Sequence, residues 1–167
     1  VKLGVAAAQA LEIDTSVLAV RRPNETEESA STGGSVMFRG RAVAKLADGV
    51  PHQAWQSYTS CPYENLAEPS RVHVDPYGNV HLCQGILMGN LFETPLVELV
   101  EGYVPHAHPI VGPLLEYGPA GLAGQHGSLD ETHYADACHL CYVTRLRLMS
   151  RYPEWLGPQQ VYGYTGA

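Results

Sequence analysis

The residues best suited to chemistry are four cysteines: Cys61, Cys83, Cys138 and Cys141. Thiolates are soft, charged ligands, and four of them satisfy either a tetrahedral Zn²⁺ or the irons of a cubane cluster. Cys138 and Cys141 stand two residues apart at the start of an expected helix, so both sulfurs can face one centre. Backbone N–H groups at a helix N-terminus also favour negative charge there. Cys83 closes an expected hairpin arm, and Cys61 lies in the loop before it. A shared metal centre that uses all four, with no cysteine left over, is the reading these residues favour. Two disulfides and four unconnected thiols are the alternatives. A structural metal so placed contributes on the order of 10 kcal/mol to folding.

Other residues are weighed against their plainer roles. His81 and His139 adjoin ligand cysteines and read as packing or tuning neighbours, with replacement of a ligand as the rarer case. His106-x-His108 has metal-like spacing, but Pro105 and Pro109 bracket it, and a surface loop is expected. Gly118, Gly121 and Gly124 match neither a dinucleotide fingerprint nor a phosphate loop and read as loop glycines. Tyr58, Tyr63, Tyr77, Tyr134 and Tyr142 are expected to pack around the cysteines and exclude water. No nucleophile motif with a Ser/His/Asp set is present, and four thiolates would leave a zinc ion no open position for hydrolytic water.

Several elements must position these groups. Residues 1–13 read as an alanine-rich helix, and 15–20 as a buried strand. Residues 23–34 are polar and acidic, too poor in apolar side chains to offset ordering, and read as a flexible linker. Residues 36–46 contain a short helix ended by Asp48-Gly49. The segment RVHVDPYGNVHLC, residues 71–83, predicts a β-hairpin: arms 72–74 and 80–82 flank a turn with Pro76 and Gly78. An apolar stretch with a Gly-Asn turn leads to a short helix over 95–101, opened by proline. Residues 105–127 are rich in Pro and Gly and read as a long loop. A helix over 140–150 follows the Cys-x-x-Cys, stopped before Pro153, and the tail reads as irregular.

Composition bounds the function. The chain has 167 residues, 45% hydrophobic and 16% charged, which suits a globular domain able to bury its own core. Its formal net charge of −7 argues against a nucleic-acid partner. The basic clusters (Arg21 and Arg22; Arg39 and Arg41; Arg145, Arg147 and Arg151) are short and read as solvated surface or helix-end charge. No apolar run reaches the ~18 residues of a membrane span, and the first residues do not resemble a secretory leader. Together with unpaired thiols, this predicts a cytoplasmic protein. The chain begins at Val1, which suggests a piece or processed product of something longer.

The spacing of the cysteines has a familiar counterpart. Cys61, a gap of 16, Gly78-x4-Cys83, a long gap and Cys138-x-x-Cys141 resemble the C-terminal auxiliary-cluster domain (SPASM/twitch type) of radical S-adenosylmethionine (radical SAM) enzymes. The turn at 75–79, the step Met88-Gly89-Asn90-Leu91 and the helix after it are similar to that family too. The resemblance covers roughly residues 55–152. No cysteine follows Cys141, so the match is to the shortened twitch form, which carries one auxiliary [4Fe–4S] cluster. The family's Cys-x3-Cys-x2-Cys, which holds the cluster that cleaves S-adenosylmethionine, is absent. The resemblance therefore implies an α+β fold: a β-hairpin and helices around a four-cysteine metal site over 35–167, preceded at 1–22 by a helix–strand unit similar to the end of a radical SAM β/α barrel. It implies an electron-transfer or supporting role, not catalytic alone, as part of an oxidoreductase or maturase. The partners would be the radical SAM barrel, in the same or a separate chain, and an electron donor or acceptor protein. A non-enzymatic zinc domain with four cysteine ligands, structural or interacting, is the alternative, weakened by the lack of paired Cys-x-x-Cys knuckles.

Overall fold

A computed structural model describes residues 36–127, 129 and 131–163. The expected helix over 1–13, strand over 15–20 and linker over 23–34 lie outside the described residues. The chain enters through α1 (Arg41–Leu46), which tightens into a 3₁₀ turn at Ala47–Gly49, and then forms β1 (Gln53–Ala54). The helix expected within 36–46 and its end at Asp48-Gly49 are thus both present.

The hairpin forms where the sequence places it. β2 (His73–Val74) pairs antiparallel with β3 (Asn79–Cys83), with His73 opposite His81 and Val74 opposite Val80. Asp75 organises the turn. Its Oδ1 accepts from the backbone N–H of Tyr77 at 2.8 Å and of Asn79 at 3.1 Å, and its Oδ2 accepts from Asn79 Nδ2 at 2.8 Å. Such Asx contacts hold a chain reversal without help from the core. A third strand extends the hairpin: β4 (Ile86–Asn90) pairs with β3 around Gln84-Gly85, giving the order β2-β3-β4. The apolar stretch is therefore strand, and so are Gly89 and Asn90, which pair with Val80 and Asn79 where a turn was expected. Val80, Leu82, Ile86 and Met88 are buried in the main core with Ile110, Val111, Leu114, Leu122, Leu148 and Leu156.

The short helix α2 (Leu96–Glu101) follows, with Pro95 at its N-cap. The greatest departure from expectation comes next. Residues 105–127, read as a loop, contain a 3₁₀ turn at Pro105–Ala107 and α3 (Val111–His126). The prolines and glycines that suggested a loop are tolerated by position. Pro113 is the third residue of the helix, where a backbone N–H has no partner within the helix anyway. Gly118 leaves helical geometry at φ 64, ψ −162, and Pro119 opens the second segment beyond this kink.

His108 also departs from its expected surface loop: it is only 3% exposed. Its Nε2 donates to the Leu87 carbonyl at 2.9 Å, while Nδ1 accepts from the N–H groups of Ile110 and Val111 at 3.1 and 3.2 Å. One imidazole thus ties the start of α3 to β4. β5 (His133–Tyr134) then pairs with β1, and α4 (Ala137–Leu148) packs on α3. The tail, expected to be irregular, makes a bridge from Leu156 to Ile86 and a 3₁₀ turn at Gln159–Tyr162. Among the described residues the architecture is α+β, four α-helices with small antiparallel sheets, and none of these helices is long and apolar enough to cross a membrane.

Candidate metal centre

Each cysteine is positioned by a distinct local device. Cys83 ends β3 opposite Ile86, and the intervening turn uses Gly85 at φ 81. A Cβ there would lie 2.6 Å from the Tyr162 ring, so the turn and the tail fit only around glycine. Cys61 owes its place to the kink in α3. A Cβ on Gly118 would lie 2.2 Å from the Thr59 carbonyl carbon and 2.3 Å from the Ser60 nitrogen, so the stretch of chain leading to Cys61 runs directly over that glycine. The Ala120 N–H freed at the kink donates to the Tyr58 carbonyl at 2.9 Å. Cys138 and Cys141 occupy the first turns of α4, whose N-cap Asp136 accepts from the His139 N–H at 2.6 Å. Three positions apart, they share a face of the helix.

These devices bring all four cysteines to the lining of one small pocket of about 20 Å³, otherwise apolar apart from Arg39 and Arg145. All four are free thiols. Among the described residues, no three His, Cys, Asp or Glu side chains are gathered tightly enough for a single metal ion. Burial, reinforced by Asp136 and the neighbouring thiols, pushes the Cys138 pKa well above that of an ordinary thiol. Burial raises that of Cys141 too, against the opposing pull of Arg145.

Two guanidiniums supply the positive charge. Arg39 Nη1 donates to Cys83 Sγ at 3.3 Å. Arg145 is fully enclosed, its Nε donating to the Cys141 carbonyl at 3.2 Å and its Nη1 to the Gln84 carbonyl and to Tyr162 Oη. Neither is the solvated surface charge expected from the sequence. No known protein family, curated protein or solved structure matches this chain. The chemistry must therefore be argued from the donor set: four thiols and two cations facing one apolar pocket suit a net anionic metal–sulfur group.

The other candidates fall outside the pocket's lining. His81 is buried and committed at both nitrogens, Nε2 donating to Asp75 Oδ2 at 3.1 Å and Nδ1 accepting from the Gly85 N–H at 3.3 Å. His139 accepts from the Ala135 N–H at 3.2 Å. Both pack, as expected. The five tyrosines do not form a shell. Tyr77 projects into solvent at the hairpin tip, and Tyr58 donates to the Tyr134 carbonyl at 2.6 Å, away from the thiols. Tyr142 donates to the Tyr162 carbonyl and stacks on its ring. Tyr63 does lie near the thiols, its pKa raised by burial and then by Asp136, Cys138 and Cys61, and Tyr162, in a Gly-rich tail that gave no signal in the sequence, adjoins Arg145.

Proposed function

We propose that this chain binds an auxiliary [4Fe–4S] cluster through Cys61, Cys83, Cys138 and Cys141. It would serve a radical SAM enzyme in electron transfer or structural support, with the barrel that generates the radical as its partner in the same or a separate chain. The observation that carries this reading is the convergence of all four thiols, from three separate parts of the fold, on one apolar pocket with two arginines. The cysteine spacing resembles that family's cluster site and lacks the paired Cys-x-x-Cys knuckles of a zinc ribbon, which favours the cluster over one zinc ion. Bound there, a cluster would supply reversible one-electron transfer. The chain's own residues bind it through the thiolates, keep water away with Leu66, Ile86, Leu114 and Pro119, and offset its charge with Arg39 and Arg145. With every cysteine used as a ligand, no thiolate remains to act as a nucleophile. Because the Cys-x3-Cys-x2-Cys set is absent, the chain by itself has no means of starting radical chemistry.

The test is anaerobic purification followed by iron, sulfide and zinc analysis with a visible absorption spectrum. About four irons and four sulfides per chain, with colour that bleaches on reduction and is lost in Cys83→Ser, is the expected result. One zinc per colourless chain, persisting after anaerobic reconstitution with iron and sulfide, would overturn the reading in favour of a zinc domain with four cysteine ligands.

A further inference from the structure

Arg145 is only 2% exposed, and its guanidinium donates to the Cys141 and Gln84 carbonyls and Tyr162 Oη and also reaches the Cys141 side chain, with no carboxylate among these partners. The Tyr162 ring lies beneath its guanidinium at 5.5 Å, and Tyr162 Oη donates onward to the Gly85 carbonyl at 2.9 Å. Among the described residues the ion pairs are Arg71–Glu64 and His81–Asp75, and neither reaches Arg145. An enclosed cation without an anion carries a penalty of several kcal/mol. The anion-forming groups beside it in the pocket are the cysteines, which become anions when they ligate a metal. Each side thus lacks what the other provides. Arg39 adds a second cation from the partly exposed side, with its Nη1 on Cys83 Sγ at 3.3 Å.

We infer that Arg39 and Arg145 are positioning residues that set the redox poise of the thiolate-bound group, holding its reduction potential up so that the site accepts electrons. This rests on the cluster reading above and adds a direction to it. Reduction brings one more negative charge into the pocket, and a fixed guanidinium stabilises the reduced form more than the oxidised one. The two arginines differ in a way that can be measured. Arg145 is shielded from solvent, so salt screens it little; Arg39 is half-exposed and its influence fades as ionic strength rises.

The experiment is a spectroelectrochemical titration of the full chain, reconstituted anaerobically, comparing wild type with Arg39→Gln and Arg145→Lys at low and high salt. Iron content is measured on every sample. Arg39→Gln removes a charge at the pocket's edge, where folding is least at risk. It is expected to shift the oxidised-to-reduced ratio at fixed potential by about tenfold, ~59 mV toward more negative values for a one-electron couple. The shift should shrink at high salt. Arg145→Lys keeps a charge in the enclosed position and is expected to stay within about threefold of wild type. A loaded Arg39→Gln that titrates at the wild-type midpoint at low salt overturns the inference while leaving the cluster reading intact. A wild-type chain that takes up zinc but no iron overturns both, and metal analysis identifies that result before any potential is compared.

Discussion

Gly118→Ala tests how the fold delivers Cys61 to the pocket. Gly118 holds φ 64 and ψ −162, a region that residues with a Cβ occupy only under strain of about 1–3 kcal/mol. The added carbon would also overlap backbone, 2.2 Å from the Thr59 carbonyl carbon, and no side-chain rotation relieves such a clash. Forced shifts of this kind add about 1–3 kcal/mol. Alanine returns only ~0.4–1 kcal/mol by stiffening the unfolded chain. The net loss is therefore about 2–5 kcal/mol, a large share of the ~5–15 kcal/mol typical of a domain. Gly124→Ala is the control: it lies on the same helix, its Cβ would meet Trp55 at an ordinary 3.8 Å, and it should be neutral or gain up to ~1 kcal/mol. Urea unfolding of the anaerobically purified chains gives both values, and iron content reports whether Cys61 still reaches the pocket. If Gly118→Ala unfolds within about 0.5 kcal/mol of wild type, the close approach does not constrain the chain and the argument for Cys61 fails.

Two further perturbations reach other parts of the framework. Asp136→Ala removes the cap that fixes the first turn of α4, and a loss of about 1 kcal/mol is expected in urea unfolding. It should also release iron faster to a chelator, because Cys138 and Cys141 sit in the turn it frees, whereas Asp136→Asn should retain most of both properties. Stability should also fall in mild acid. Burial lowers the His108 pKa below the ~6.5 of an unfolded imidazole, so the folded state keeps it neutral. Its contribution is then complete above about pH 6.5 and is lost as pH falls toward the folded value. The slope is at most ~1.4 kcal/mol per pH unit for one proton, and His108→Gln should flatten that part of the profile in urea unfolding measured from about pH 5 to 8.

What the sequence disclosed follows the range of the interactions involved. The hairpin was legible because Asp75 makes its turn from atoms two to four residues away, whereas the last helix, expected over 140–150, starts earlier at Ala137, where Asp136 caps it. The kinked helix was not, since proline and glycine mark loops on average but carry no information about helical position. Pro113 lies in a first turn, and Gly118 is needed because a remote segment, Thr59-Ser60, crosses it. His108 was misjudged for a similar reason. Its bracketing prolines signal a surface turn, while its actual partner, the Leu87 carbonyl, is 21 residues distant.

The arginines carry the same lesson into the site itself. Arg145 falls beside Arg147 in a basic run, where a helix end predicts solvated charge. Only the fold brings Gln84 from the hairpin and Tyr162 from the tail over it, across 61 and 17 residues respectively. The cysteines stood out because the proposed metal centre would need one residue type with little latitude in chemistry, and type survives in a sequence; the structure brings all four to one pocket. The charges that oppose them can come from any element that reaches the pocket, so they are found only from the structure. The proposed ligand set and its electrostatic setting are therefore separable, and Arg39→Gln is expected to shift the poise of the proposed centre while its four ligands are untouched.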